Sequence, residues 1–165
     1  MFLKKILLII LSLFLISCSD PSASHKAVAP VAFEKSDECH LCGMAIEKFA
    51  GPKGEAFENR DGTMKKFCST MDLMSWYLQP ENQANVSAIY VHDMSKVPWD
   101  QPDDKHLIHA QEAFFVLGSS QKGSMGPALA SFGEKQQAQD FAKQYGGQLL
   151  HFNEITMDRL HPIQD

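Results

Sequence analysis

The sequence predicts an α+β protein built from two related ββαβ units packed together, preceded by a cleaved leader and a flexible tether. Three observations predict it: an apolar leader that ends at a cysteine, a strand–strand–helix–strand pattern that occurs twice, and turn and helix-start signals at matching places in both copies. At 165 residues with 44% hydrophobic and 21% charged residues, the chain has the composition of a globular protein, which excludes a disordered or fibrous chain. A net charge of −5 argues against nucleic acid as its partner.

Met1–Ser17 reads as a secretory signal. Lys4 and Lys5 supply the positive start, and Ile6–Ile16 is an apolar run of about a dozen residues, short of the roughly 20 that a membrane-spanning helix needs. It ends in Leu15-Ile16-Ser17-Cys18, which resembles a bacterial lipobox; the alternative is a plain signal with a chance cysteine. In the lipobox reading Cys18 is acylated, and the mature lipoprotein is anchored to the outer or inner membrane facing the periplasm, with Ser19 leaning towards the outer membrane. Removal of the leader leaves 13 basic against 20 acidic residues, a net charge of −7. Ser19 to about Ala32, with Pro21 and Pro30, reads as tether. The expected divisions are therefore signal 1–17, lipidated tether 18–32, a first unit 33–97 and a linker with second unit 98–165.

Glu55–Asn59 and Met64–Cys68 read as strands joined at Asp61-Gly62. Ser69 or Thr70 then caps an apolar helix to about Gln79, closed by Pro80, and Ser87–His92 alternates as a strand. In the second copy, Glu112–Leu117 is strand-like, Gly118–Gly126 reads as a Gly/Ser loop, and Ala128–Phe132 is the return strand. Glu134–Tyr145 carries Ala138, Phe141, Ala142 and Tyr145 at helical spacing, Gly146-Gly147 stops it, and Gln148–Phe152 is the last strand. Phe67 aligns with Phe132 and Trp76 with Phe141. Residues 93–111 read as the connection, in which Trp99 is a packing anchor. Neither unit is large enough to bury its own apolar face, so the two are expected to share a core.

Acylation of Cys18 leaves Cys39, Cys42 and Cys68, an odd number for an oxidising compartment. Cys39-His40-Leu41-Cys42-Gly43-Met44 presents two thiols at the spacing of a shared metal or a redox pair. Gly43 relaxes the backbone so that Met44 can turn inward. Cys68 starts the capped helix, and Met125 sits in a Gly-rich loop where packing explains it poorly. Thiolate and thioether donors together select a soft ion, Cu(I), over zinc or harder metals. His40 is as readily a solvent-facing side chain as a ligand. Met64, Met71, Met74, Met94 and Met157 read as packing, and His92, His106, His109 and His151 have no spacing that points to a metal.

Cys42-Gly43-Met44-Ala45-Ile46, then Gly51-Pro52-Lys53-Gly54, then Phe67-Cys68-Ser69 with Asp72, then Met125-Gly126-Pro127 with Phe132, in order along about Cys39–Phe152, resemble the NosL family. That resemblance implies a periplasm-facing lipoprotein copper chaperone that binds Cu(I). It also implies work with an ABC-type membrane complex to supply the copper–sulfur centre of nitrous-oxide reductase, and the same paired ββαβ fold. Carried over by position, Cys42, Met44 and Met125 are the leading ligands. Cys39 and Cys68 depart from the family's simplest pattern, and as extra thiols they make either a richer copper site or a disulfide. The competing expectations are a thiol–disulfide oxidoreductase using Cys39 and Cys42, and a zinc-stabilised binding module using the three cysteines and a histidine.

Overall fold

The structure, a computed structural model, describes residues 28–59, 61–124 and 126–162. The leader, Cys18 and Met125 lie outside the described residues. The first unit runs β1 (Gly54–Glu58), β2 (Met64–Phe67), α1 (Thr70–Tyr77), α2 (Pro80–Asn85) and β3 (Val86–His92). The second runs β5 (Phe114–Gly123), β6 (Gly126–Phe132), α3 (Lys135–Tyr145) and β7 (Gln148–His151), with β4 (Leu107–His109) between the units and α4 (Met157–Leu160) after them. The strand orders are β2-β1-β3-β4 and β6-β5-β7, with every pairing antiparallel. The second-first-third order thus occurs in both units, as expected for the repeated pattern.

Several helix boundaries have a local reason. The Ser69 side chain accepts a hydrogen bond from the Asp72 backbone N–H, capping α1. Pro80 closes α1 but also opens α2 as its first residue, where its missing N–H costs nothing. Gly146, at φ 76°, ends α3.

Two differences from the expected elements stand out. The Gly/Ser segment 118–126 is not a loop: β5 continues to Gly123 past a register shift between Leu117 and Lys122, and β6 begins at Gly126. Pairing across the hairpin, not strand propensity, holds this extension. The connection 93–111 contributes β4, which lies along β3 as an edge strand.

The period-2 alternation of each sheet decides the packing. Ala56, Phe67, Ile89 and Val91 of the first sheet and Phe115, Leu129 and Leu150 of the second face one shared core, which α1 enters with Leu73 and Met74. Val116, Ala130 and Phe132 form a second cluster with Ala138 of α3, closed by Met94 and Val97. Phe141 packs onto that cluster, and Trp99 stacks on Phe141 with ring centroids 5.5 Å apart, the anchoring role expected of it. The units are also stitched by polar contacts. The Met94 N–H donates to the Ser131 carbonyl (2.9 Å), Ser131 Oγ to the His92 carbonyl (2.7 Å), and Thr70 Oγ1 to the Leu129 carbonyl. The Gly133 N–H donates to Asp93 Oδ1, and a Cβ at Gly133 would meet Asp93 Oδ2 at 2.6 Å, so that approach requires glycine.

Candidate metal centre

Cys39 and Cys42 lie on a turn that closes on itself. The Cys39 N–H donates to the Met44 carbonyl and the Gly43 N–H to the Cys39 carbonyl, each at 2.8 Å, with Gly43 at φ 73°. The His40 N–H donates to the Lys66 carbonyl at 2.8 Å and pins the turn to β2. Cys68 follows β2 directly, and Asp72 is the third residue of α1. The sulfurs of Cys39, Cys42 and Cys68 and a carboxylate oxygen of Asp72 all lie within 4.8 Å of one another. Cys42 Sγ is 3.5 Å from Cys68 Sγ. Cys68 Sγ is 3.1 Å from both Asp72 Oδ2 and Ser124 Oγ, and Cys39 Sγ is 3.7 Å from Asp72 Oδ2. Cys39, Cys68 and Asp72 are buried, so the partly exposed Cys42 is where the cluster meets solvent. All three thiols are free.

The thiols share too few protons to be independent. The hydrogen bond from Cys68, helped by backbone N–H groups of Cys68, Cys42 and Leu41, outweighs burial and pulls the Cys39 thiol down to about 4. The same bond, together with burial, pushes Cys68 up. Burial pushes Cys42 up, and it also raises the Asp72 carboxyl. The first proton therefore leaves the trio easily, from Cys39, and the later ones leave with difficulty.

The structure brings Cys39, Cys42 and Cys68 together. Met44 is half-buried and packs against the shared core. The expectation for Met125 falls outside the described residues. His40 is exposed and sits edge-on to Phe67 and Trp76, with centroids 5.9 and 5.8 Å apart, and among the described residues no histidine joins the donor group. His92 is buried away from the cluster, accepting from the Lys53 N–H at Nδ1. Asp72 and Ser124 were missed as site residues. The signal for Asp72 was Ser69-x-x-Asp72, a capping-box spacing whose carboxylate is diverted here to two thiols. Ser124 carried no signal, because it arrives only through the extended β5–β6 hairpin.

Fold and site together define a duplicated α+β module with a thiol-rich, partly buried donor cluster. The chain belongs to the NosL family, whose model matches residues 30–160. It is 48% identical over 150 residues to the copper-binding lipoprotein NosL of Stutzerimonas stutzeri, covering 91% of this chain and 78% of that protein. It is 35% identical over 120 residues to the copper-binding lipoprotein NosL of Achromobacter cycloclastes, covering 71% and 62%. The crystal structure of the copper chaperone NosL from Shewanella denitrificans superposes with a TM-score of 0.77 at 50% identity, over 78% of this chain and 96% of that one. The solution structure of the Achromobacter cycloclastes apo-protein gives 0.51 at 32% identity, over 68% and 92%. Among the described residues no helix is long and apolar enough to cross a membrane.

Proposed function

We propose that this chain is a lipid-anchored copper chaperone that takes up Cu(I) on the Cys39–Cys42–Cys68 cluster and releases it to a partner without a catalytic step. The observation that carries the reading is the convergence of three sulfurs within 4.8 Å at the point where the β5–β6 hairpin lays Ser124 against Cys68. Three thiols in one group suit a soft monovalent ion. Met125, next in sequence to Ser124, and Met44, two residues after Cys42, are the neutral thioether donors this reading adds. Cys39 supplies a thiolate ready for metal, and the remaining thiols release protons as metal binds. The partly exposed Cys42, beside the exposed Leu41, is where an incoming donor can replace one ligand at a time.

The relatives' names as copper-binding lipoproteins support copper as the cargo and a lipid anchor, which this reading places at Cys18 with the protein facing the periplasm. Delivery towards the copper–sulfur centre of nitrous-oxide reductase, through an ABC-type membrane complex, is the destination this reading assigns. The Cys39–Cys42 turn leads into the three-residue 3-10 turn Ile46–Lys48 and not into a long helix, which counts against a thioredoxin-like use of the pair. The fourth donor, Asp72, favours one alternative, a closed zinc site.

An anaerobic titration of residues 19–165 with Cu(I) against a chromophoric chelator, repeated with Zn(II), separates the two. Tight one-to-one Cu(I) binding by a protein that stays folded when empty supports the chaperone. Failure to compete for Cu(I), with tight zinc binding and an unfolded apo-protein, sinks it in favour of the structural zinc site.

A further inference from the structure

The face of the first sheet turned away from the shared core carries a polar row. Glu55 of β1 pairs across the ladder with Lys66 of β2 and Tyr90 of β3, and His92 lies further along β3. Glu55 and His92 have no exposed surface, and Lys66 is 8% exposed. Residues 28–33, at the folded end of the tether, help to cover this row. Tyr90 Oη donates to the Val28 carbonyl, the Val31 N–H to Glu55 Oε1 (2.8 Å), Lys66 Nζ to the Ala32 carbonyl (2.8 Å) and the Phe33 N–H to Asp104 Oδ2 (2.8 Å). The Phe33 ring lies 5.6 Å from the His92 ring and 5.3 Å from the Lys66 ammonium. The side chains of Val28 and Val31 are exposed and Phe33 is half-buried against the core, so up to Phe33 the segment is held by polar contacts to its main chain. One of the two Glu55 carboxylate oxygens, Oε2, is buried with no hydrogen-bond partner among the described residues. A buried carboxylate in that state is costly unless it carries a proton.

We propose that residues 28–33 are a detachable strap whose docking on the first sheet takes up a proton at Glu55, so that the folded end of the tether is clamped in acid and freed as pH rises. Burial pushes the docked Glu55 carboxyl up to about 7 from its ordinary value of 4.5. Docking is therefore strongest below the ordinary value. It weakens by up to tenfold per pH unit as pH climbs towards about 7, and is level above it.

The other charged or titratable groups around this face are Lys66 of β2, Lys53 ahead of β1, Tyr90 and His92 of β3, and His109 of β4. Asp103 and Asp104 ahead of β4, Glu112 after it, Glu47 beside Phe33 and Lys53, and Asp37 after the strap also face it. Against burial, Lys66 holds Asp37 below the usual carboxylate range, and His92 with the Phe33 N–H does so for Asp104, so both stay ionised through this window. Burial pushes His92 down, against its hydrogen bond to Asp104. The consequence for reach rests on the lipid anchor proposed above: freeing residues 28–33 adds six residues between Cys18 and the folded body, about 20 Å at full extension.

The test is amide exchange at Val31 and Phe33 in the full-length chain in detergent micelles, as protection factors at about pH 5 and about pH 7.5. Wild type is expected to lose at least tenfold protection between the two. Glu55→Gln, neutral throughout and still able to accept from Val31, is expected to stay level. Protection independent of pH in wild type, or a Glu55→Gln profile that follows wild type, overturns the proposal. A carboxyl-carbon titration of Glu55 gives a second readout. Val31→Pro removes a donor that by itself holds the Glu55 midpoint down, so a fall of the midpoint towards the ordinary glutamate value there reports release of the strap and its burial, and an unmoved or raised midpoint overturns the proposal as well. Neither measurement needs copper or an acyl chain, so failure here leaves the chaperone reading standing.

Discussion

Cys42 and Cys68 are 26 residues apart in the chain, yet their sulfurs are 3.5 Å apart, in contact across the end of β2. Because the turn bearing Cys42 is pinned to β2 by the His40–Lys66 backbone bond, the two sulfurs are held by the sheet itself. Any change at one thiol is felt at the other.

Cys68→Ser keeps the polar contacts to Asp72 and Ser124 but removes one soft donor. Cu(I) affinity is expected to fall by at least about tenfold, or about 1.4 kcal/mol, with the thermal midpoint little changed. A chelator-competition titration checks this; an unchanged affinity would place Cys68 outside the ligand set.

An external disulfide reagent should oxidise this pair. Cys42 and Cys68 lose their two S–H protons and two electrons to the reagent, which leaves as two thiols, and a Cys42–Cys68 bridge forms. Peptide mapping by mass spectrometry should find that bridge, with Cu(I) binding lost and then restored by a reductant. Recovery of a Cys39–Cys42 bridge as the main product would contradict the geometry.

Copper affinity should rise with pH. Cys42 and Cys68 are pushed up and stay protonated at neutral pH, whereas Cys39 is pulled down to about 4 and is ionised there. Binding by all three sulfurs displaces two protons, so log affinity should rise by about two per pH unit below the raised thiol values. A slope near one in the same titration would mean that only one of the raised thiols ligates.

Met125→Ala should weaken Cu(I) binding and leave far-ultraviolet circular dichroism unchanged. Met74→Ala should do the reverse. Met74 has no exposed surface and lies in the shared core, so its loss should cost about 2–5 kcal/mol in a denaturant titration while copper affinity in the folded protein holds. Equal copper affinity in Met125→Ala and wild type would remove that thioether from the site.

Much of the fold was legible because its signals are local. The Ser69 cap, Pro80, Gly146 and the alternation of Ser87–His92 each act within a few residues. The extension of β5 to Gly123 was not legible. Its Gly and Ser residues have low strand propensity, and cross-strand pairing with β6 overrides it. The strap escaped notice for a related reason: a Pro- and Ala-rich stretch has no periodicity, and its order comes from Glu55, Lys66 and Asp104 elsewhere in the chain.

For the site, residue chemistry alone picked out Cys39, Cys42 and Cys68 as candidates and carried the family resemblance. It could not decide that Cys39, Cys42 and Cys68 form one group, that Asp72 joins them, or that no histidine among the described residues does. Those facts depend on where β2 ends relative to the turn before β1 and on how the second hairpin reaches the first unit. Sheet register fixes both, and burial on two faces selects that register. Contacts between residues distant in the chain exist only once both sheets have packed on their common core.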